Sequence, residues 1–321
     1  MIYPENSLIL APLSGYTDLA YRRAARKCGC NYAFTEMIDA AAIVYAAKRT
    51  IPMLKRGDDE KFLGVQLVGA IPEQLKFAAN FLNDYNFDVL DFNLGCPVPK
   101  VVKKNAGAAL GQNLNLALEC FEAIASVSKF PVTTKLRILS DTDPIPTLTL
   151  VQGLIARGAQ AITIHGRTRK NFYTGPVAFD IIKFIRDNVS KDIDIVANGG
   201  VLTFDKITEI REKTSCSQVM LAQGAMGNPW LFADNYPTLD EWKEVTAFHV
   251  KEMVDLYGEE MAMRLARKIV HDYLRGRGFP GEFRLAASQL TVYKDLEILL
   301  NKVYCAVNTN ESTGRKIRVN Y

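Results

Sequence analysis

A cysteine between a glycine and a proline is the residue of this chain best placed to do chemistry. The strand-like segment Val89–Leu94 stops abruptly at Gly95-Cys96-Pro97. Glycine permits a sharp turn and proline fixes φ, so we expect Cys96 on a rigid corner just past a strand end, beside Asn93. A thiol with an ordinary pKa of about 8.5 is mostly protonated at pH 7 and can donate a proton. Most free cysteines are small buried apolar residues, and position alone leaves both interpretations open.

Two later strand-like segments also carry ionisable side chains near their carboxyl ends. Lys135 lies in the segment Val132–Leu136, on the other face from Leu136, and His165 is the last residue of the segment Ala161–His165. Because side chains alternate faces along a strand, each segment has an apolar face for packing and a polar face. Lysine is rarely buried without a partner, so an inward Lys135 indicates an anionic or polar ligand, the alternative being an edge lysine that reaches solvent. His165 alone is equally consistent with a structural histidine.

Two glycine-rich turns complete the set of chemically informative segments. Asn198-Gly199-Gly200 and Gln223-Gly224-Ala225-Met226-Gly227 each follow an apolar strand-like run. Such turns expose backbone N–H groups. In barrels of alternating strands and helices, the loops after strands seven and eight are the habitual phosphate site. The turns therefore indicate a phosphate-bearing ligand.

A regular alternation of strands and helices predicts the fold that would position these residues. The predicted strands are Leu8–Ala11, Tyr32–Thr35, Phe62–Val68, Val89–Asn93, Val132–Leu136, Ala161–His165, Asp194–Asn198 and Gln218–Ala222. Predicted helices between them include Leu19–Lys27, Glu73–Asn83, Leu114–Ser128, Phe179–Asn188 and Phe204–Lys213. Eight such units predict an α/β protein with a (β/α)8 TIM barrel, and a doubly wound open sheet is the alternative.

The alternation ends near residue 236, and the rest of the chain has helical periodicity. We predict a catalytic barrel domain over residues 1–236 and a small all-helical domain over residues 237–321, opened by a capping box from Thr238 to Glu241. Between Met261 and Lys294 seven Lys or Arg face only two acidic residues, with aromatic residues interleaved. A solvated helix face is the alternative to a binding surface.

The composition of the 321 residues is that of an ordinary globular protein, with 48% apolar and 23% charged residues. No apolar run is long enough to cross a membrane, the first residues lack a secretory signal, and the six cysteines fit neither a disulfide framework nor the spacing of a zinc site. We therefore expect a cytoplasmic protein without a metal. A net charge of +4 does not by itself indicate nucleic acid.

The motifs together resemble the dihydrouridine synthase family, and the bacterial B-type branch is the most similar. The resemblance spans nearly the whole chain and rests on these segments: Ala11-Pro12-Leu13-Ser14-Gly15-Tyr16-Thr17-Asp18, Val65-Gln66-Leu67-Val68-Gly69, Asn93-Leu94-Gly95-Cys96-Pro97, Lys135-Leu136-Arg137, His165-Gly166-Arg167-Thr168-Arg169, Asn198-Gly199-Gly200 and Gly224-Ala225-Met226-Gly227-Asn228-Pro229-Trp230. It implies an FMN enzyme that uses NADPH to reduce uridine in RNA, most simply tRNA.

The resemblance also implies residue roles. Cys96 would be the catalytic acid. FMN would be held by Pro12, Leu13, Ser14, Gln66, Lys135, His165, Asn198, Gly199, Gly200, Ala222 and Gln223. The substrate RNA would lie near Asn93, Arg137, Arg169 and Tyr173. The basic segment from Met261 to Lys294, whose Arg267-Lys268 also resembles the family's RNA-binding domain, would bind the RNA backbone through Arg264, Arg267, Lys268 and Arg275. Ala222-Gln223 departs from the Gly-Arg usual in the family, which removes a guanidinium suited to bidentate phosphate binding.

Alternatives from the same and other classes stay open at this point. They are a dihydrouridine synthase for ribosomal RNA, a small-molecule FMN barrel oxidoreductase, and an RNA-binding module without catalysis. The basic helical segment argues against the small-molecule enzyme, and the Cys96, Asn93 and Lys135 set argues against a non-catalytic module. We expect a monomer, while the sequence leaves open which uridine is reduced and whether NADH replaces NADPH.

Overall fold

Eight parallel strands close into a barrel in the computed structural model, which describes residues 1–46, 50–233 and 235–311. The strands are β1 (Leu8–Leu10), β2 (Tyr32–Asp39), β3 (Leu63–Val68), β4 (Val89–Leu94), β5 (Val132–Arg137), β6 (Ala161–His165), β7 (Asp194–Asn198) and β8 (Val219–Leu221). Each pairs with the next in sequence, and β1 pairs with β8. The predicted TIM barrel is confirmed, and the open sheet is wrong.

The observed strands follow the predicted ones closely except at β2. That strand continues four residues beyond its predicted end, to Asp39, across a change of register between Phe34 and Met37. An irregularity of this kind lets a strand bend and resume pairing. At Gly64 of β3 an added Cβ would lie 2.2 Å from the ring of Phe34, so this glycine makes room for a buried aromatic side chain.

The helices that alternate with the strands have clear sequence causes. They are α1 (Leu19–Lys27), α2 (Ala40–Val44), α3 (Pro72–Leu82), α4 (Pro99–Val102), α5 (Leu114–Ala125), α6 (Ile145–Ile155), α7 (Phe179–Asp187) and α8 (Phe204–Thr214). Asp18 and Asn113 cap α1 and α5 through side-chain oxygens that accept backbone N–H bonds. Proline at the first turn starts α3 and α4, where its missing N–H costs nothing.

One end of the barrel interior is filled by apolar side chains. A buried cluster takes residues from six strands, including Ile9, Phe34, Val89, Val196 and Met220. Full burial of side chains of this size stabilises the fold by about 1.5–3 kcal/mol each. This cluster leaves the polar residues at the carboxyl ends of the strands to line the other end.

The chain divides into two compact units. The first contains residues 1–17, 31–201 and 205–222, and thus all eight strands. The second contains residues 18–30, 202–204 and the described residues from 223 onward. Compactness does not define independent folding, so the domain boundary between residues 236 and 237 stays a prediction.

The second unit contains α1 and four further helices: α9 (Leu239–Tyr257), α10 (Glu259–Leu274), α11 (Gly281–Ser288) and α12 (Tyr293–Glu311). The predicted capping box is confirmed, since Glu241 N donates to Thr238 Oγ1 while Glu241 Oε2 accepts from Thr238 N. Over the part of the chain that the structure describes, none of the helices combines the length and apolar character needed to cross a membrane.

Candidate active site

The register of the sheet brings the predicted site residues together across four neighbouring strands. Asn93 of β4 pairs with Lys135 of β5, Arg137 of β5 pairs with His165 of β6, and His165 pairs with Asn198 of β7. These positions lie at or near the carboxyl end of each strand, where barrel enzymes place their catalytic groups. The alternation seen in the sequence therefore puts Cys96 beside a belt of polar side chains.

A buried chain of hydrogen bonds fixes the strand that precedes Cys96. Thr133 Oγ1 and Gln66 Nε2 donate to the Asp91 carboxylate at 2.6 and 2.7 Å. Asn93 Nδ2 donates to Gln66 Oε1 at 2.7 Å. Because a carboxylate can only accept, it sets which end of the Gln66 amide faces it, and Gln66 in turn orients Asn93. Burial raises the pKa of Asp91 to about 6.

The loop that carries Cys96 is held from both sides. Asn93 Oδ1 accepts the backbone N–H groups of Gly95 and Cys96 at 3.1 and 2.8 Å. Ala108 N donates to Cys96 O at 3.0 Å. Gly107 has φ +59°, and a Cβ there would lie 2.7 Å from Cys96 O, so the close approach requires glycine. The backbone of Cys96 therefore has a fixed position.

The Cys96 side chain is half-buried and stays in its thiol form. Burial is the main cause that raises the pKa of Cys96, while the nearby Arg137 and Lys135 cations lower it by less. A thiol with a raised pKa is protonated at neutral pH, which suits a proton donor and not a nucleophile.

Lys135 has a polar partner within the site. Its Nζ donates to Asn198 Oδ1 at 2.9 Å, and Asn198 Nδ2 donates to Met220 O at 2.8 Å. Asn198 is thus one polar partner of the inward lysine. The other two N–H groups of Lys135 Nζ can donate to a ligand. Burial lowers the pKa of Lys135 to about 8, so the amine is still mostly charged at pH 7.

His165 has a buried nitrogen without a hydrogen-bond partner. Its Nε2 is enclosed and makes no hydrogen bond to any described group. Burial, followed by the charges of Lys135, Arg137 and Arg167, lowers the pKa of His165 to about 2, so the ring is neutral. An unsatisfied buried polar atom costs about 1–3 kcal/mol. A bound ligand with a complementary polar group would relieve that cost.

Gly199 and Gly200 follow Asn198 at the mouth of the barrel, and Gly199 lies close to His165. Both have positive φ, +119° and +73°, and a Cβ on Gly199 would lie 2.7 Å from His165 Cδ2. Only glycine permits this close approach, as the turn motif predicted. Pro12 and Leu13 are half-buried after β1, Ser14 is exposed, and Ala222 is half-buried after β8.

Arg137 is buried and holds two loops, a function that the sequence did not reveal. Its Nε donates to Gly95 O at 2.8 Å, and its Nη1 donates to Phe172 O at 2.6 Å and Thr168 O at 3.2 Å. The guanidinium carbon lies 5.3 Å from the centre of the Tyr173 ring. Arg137 thus ties the cysteine loop to the loop after β6. The shared face of Thr133, Lys135 and Arg137 was the only sequence sign that it points inward.

Comparison with known proteins decides the family of this barrel. The family model described as dihydrouridine synthase (Dus) matches residues 9–308. The chain belongs to the dihydrouridine synthase family. The resemblance read from the motifs is thereby confirmed, together with the enzyme class, an oxidoreductase that acts on uridine.

Relatives of this dihydrouridine synthase match along most of its length. The chain is 34% identical over 296 residues to a probable tRNA-dihydrouridine synthase of Rickettsia bellii (strain RML369-C), covering 88% of this chain and 90% of the relative. It is 32% identical over 307 residues to tRNA-dihydrouridine synthase B of Pasteurella multocida (strain Pm70), covering 92% of each.

A solved structure supports the fold alone. Histamine dehydrogenase from Rhizobium sp. 4-9 superposes with a TM-score of 0.53 at 12% identity over 77% of this chain. The match spans 48% of that larger chain. At such a low identity the match supports the barrel architecture and gives no information about the substrate.

The predicted RNA contacts of the dihydrouridine synthase's second unit differ in exposure. Arg264 and Lys268 are exposed on α10, and Arg275 is exposed and pairs with Asp272 at 2.8 Å. Arg267 is partly buried, and its Nε donates to Leu290 O at 2.8 Å. In the same unit, Gln223 is exposed at the start of a short 3-10 turn.

The interleaved aromatic residues of this segment do not form a surface. Tyr273, Phe279 and Phe283 are buried, while Tyr293 is half-buried. Their spacing reflects packing between helices, which a sequence pattern cannot distinguish from a row of exposed rings. No group of histidine, cysteine and acidic residues suited to a metal ion was found within residues 1–46, 50–233 and 235–311.

Proposed function

We propose that this dihydrouridine synthase reduces the C5=C6 bond of a uridine in tRNA, with FMN as its cofactor, NADPH as the reductant and Cys96 as the proton donor. The observation that carries the proposal is the half-buried Cys96 at the polar mouth of the barrel, on a backbone that Asn93 Oδ1 fixes. Burial raises the pKa of its thiol. The tRNA substrate is inferred from the relatives, whose names are tRNA-dihydrouridine synthases. A tRNA substrate agrees with the expected cytoplasmic location.

The residues at the barrel mouth fit a flavin. Dihydrouridine synthases are flavin-dependent enzymes. Within the described part of the chain His165 Nε2 has no hydrogen-bond partner, and Lys135 has two N–H groups beyond the one given to Asn198. Gly199 and Gly200 can bring backbone N–H groups close to a ligand. We propose that these residues, with Gln66, hold FMN, which when bound and reduced supplies a hydride to C6 of the uracil.

Cys96 completes the reduction by giving a proton to C5. Hydride addition at C6 places negative charge on C5 and O4 of the uracil, so C5 becomes basic. The S–H bond of Cys96 breaks as the C5–H bond forms, and its electron pair stays on sulfur as a thiolate. Arg137 and Lys135, which lower the pKa of Cys96, stabilise that thiolate until solvent returns the proton.

Asn93 links substrate binding to the position of the acid. One Nδ2 hydrogen goes to Gln66 and both Oδ1 contacts go to the cysteine loop. The second Nδ2 hydrogen can donate to a carbonyl of the uracil edge. Uracil must leave the RNA stack to reach this depth, which costs a few kcal/mol that backbone contacts elsewhere must offset. The exposed cations Arg264, Lys268 and Arg275 are the proposed source of those contacts.

The test is a Cys96→Ala variant with Cys305→Ala as the matched control, since Cys305 is exposed on α12. Cys96→Ala should keep the flavin content of the wild type and lose dihydrouridine formation by about 10²–10⁴-fold, the usual contribution of a general acid. The control should keep full activity. Wild-type turnover by Cys96→Ala would remove the thiol from the mechanism.

Substrate choice separates the remaining candidates. Activity on tRNA and none on free uridine would exclude the small-molecule enzyme. Mapping dihydrouridine in tRNA and ribosomal RNA from cells with and without this protein would decide between the two RNA classes. A change confined to ribosomal RNA would contradict the proposal.

A further inference from the structure

The loop after β6 is built as a rigid arch over residues 168–175. Both ends are fastened by side chains: Arg137 binds Thr168 O and Phe172 O, and Arg167 donates to Gly175 O through two nitrogens at 2.8 and 3.0 Å. Asp141 accepts from Thr168 Oγ1 at 3.1 Å and from Asn171 Nδ2 at 3.0 Å. These hydrogen bonds restrain the loop, which lowers the conformational entropy it would lose on binding a partner.

This arch presents two aromatic rings to solvent. Phe172 is 40% exposed and Tyr173 is 41% exposed. Their ring centres lie 4.6 Å apart with an interplanar angle of 74°, an edge-to-face pair. The exposed part of the Phe172 ring has no packing partner in the described part of the fold and is open to an aromatic partner from solution.

The backbone of Phe172 is held in an unfavourable conformation. Its φ is +50°, the left-handed region, which bulky residues without a special cause avoid. The bond from Arg137 Nη1 to Phe172 O, at 2.6 Å, keeps it there. Strain of this kind is typical of residues that the fold holds for binding.

The surroundings of the two rings match a nucleic acid in charge and in place. Arg169 and Lys170 are exposed beside them and line a cavity of about 930 Å³, and the single acidic residue among its described lining residues, Asp141, is hydrogen-bonded to Thr168 and Asn171. Arg137 joins Phe172 O to Gly95 O, so one side chain spans the distance from the arch to the cysteine loop. An RNA with its uridine at Cys96 would place the adjoining nucleotide next to the arch.

We propose that Phe172, braced edge-on by Tyr173, is a stacking platform for an unpaired RNA base adjacent to the reduced uridine. The inference rests on the proposed function and adds to it a contact outside the uracil site. Extruding the uridine leaves its neighbour without a stacking partner, and an aromatic face replaces it whatever the base, because every base has a π-face.

The experiment combines protein variants with abasic RNA. The probe is an RNA hairpin with one uridine in its loop, flanked by adenosines, and two versions that lack the 5′ or the 3′ neighbouring base. We expect Phe172→Ala to weaken binding of the intact hairpin about 10-fold. One abasic version should weaken wild-type binding by a similar factor and bind Phe172→Ala no worse than the intact hairpin does, because the two changes remove the same contact.

Controls separate stacking from folding and from charge. Phe172→Trp should retain affinity and Phe172→Leu, which keeps the apolar bulk, should not. Phe77→Ala removes another exposed phenylalanine, 54% exposed on α3, and should leave binding unchanged. The salt dependence of binding should be the same in Phe172→Ala as in the wild type, whereas Lys170→Ala should flatten it.

Two results would overturn the proposal and can be told apart. In the first, the wild type binds the hairpin and reduces its uridine, but Phe172→Ala and each abasic site weaken binding independently, so that their losses of binding free energy add. The stacking platform is then wrong and the proposed function stands. If the wild type neither binds nor modifies RNA, the proposed function fails and the platform with it.

Discussion

The buried carboxylate of Asp91 offers the sharpest test of how the site is held. Burial raises the pKa of Asp91 from 3.8 to about 6. The native state therefore binds a proton between pH 4 and pH 6 that the unfolded state does not, so stability falls as pH rises through this window. A difference of about two pH units corresponds to about 3 kcal/mol of unfolding free energy above pH 6.

Replacing Asp91 by asparagine removes that charge and keeps the shape. Asp91→Asn should raise the free energy of unfolding by about 2–3 kcal/mol at pH 8 relative to the wild type, and the gain should shrink toward zero near pH 4. Urea denaturation at pH 4, 5, 6, 7 and 8 measures it. A variant that is less stable than the wild type by one constant amount at every pH would refute the electrostatic reasoning.

The same substitution should harm catalysis although it stabilises the fold. Both oxygens of a carboxylate can only accept hydrogen bonds, whereas an amide has one acceptor and one donor end. An asparagine at position 91 therefore no longer fixes which way the amides of Gln66 and Asn93 point. When Asn93 turns its Nδ2 toward the cysteine loop, the N–H groups of Gly95 and Cys96 lose their acceptor. We expect kcat to fall about 10-fold or more, because a small displacement of the proposed acid is costly.

A buried aspartate at the start of β7 provides the matched control. Asp194 accepts the N–H groups of Ile2 and Tyr3 at 2.6 and 3.1 Å and has no bond to the cysteine loop. Asp194→Asn should leave kcat unchanged. Equal losses of kcat in both aspartate variants would show that any change to the barrel interior lowers activity, and would contradict a specific positioning effect of Asp91.

Two further predictions concern the second unit. The double variant Arg264→Ala, Lys268→Ala should weaken RNA binding and lower its salt slope by about 1–2, and an unchanged salt slope would mean that these charges do not contact the RNA. Arg267→Ala should mainly lower the melting temperature, because Arg267 Nε donates to Leu290 O. Burial lowers the pKa of His249 to about 3, so the free energy of unfolding is unaffected by this group above pH 6.5 and falls by about 1.4 kcal/mol per pH unit between pH 6.5 and pH 3. His249→Gln, which cannot titrate, should make the free energy of unfolding less dependent on pH in this range, and the same pH dependence in variant and wild type would exclude the effect.

The barrel could be predicted from the sequence because its causes are local. Each strand is a short apolar run between turn residues, and each side chain's face follows from its position in the run. The shared face of Asp91 and Asn93 and the corner at Gly95-Cys96-Pro97 were visible in the same way. The end of β2 was not, since its continuation to Asp39 depends on pairing with β3 across an irregularity.

The contacts that build the candidate site could not be predicted, because they join residues far apart in sequence. Gln66 and Asp91 are 25 residues apart, and Arg137 reaches Phe172 across 35. Which of them touch depends on strand register to within one residue. The tail shows the same limit: Arg267 and Lys268 are adjacent in sequence, yet only Arg267 turns inward to Leu290.

The half-buried thiol at the barrel mouth has a consequence for chemical damage. Peroxides and alkylating agents react with the thiolate form of cysteine and not with the thiol, because the thiolate is the nucleophile. Since burial raises the pKa of Cys96, the reactive form is scarce at neutral pH. The burial that suits Cys96 to its proposed role as proton donor therefore also protects the sulfur during oxidative stress, and we expect an electrophilic probe to label the exposed Cys305 before Cys96.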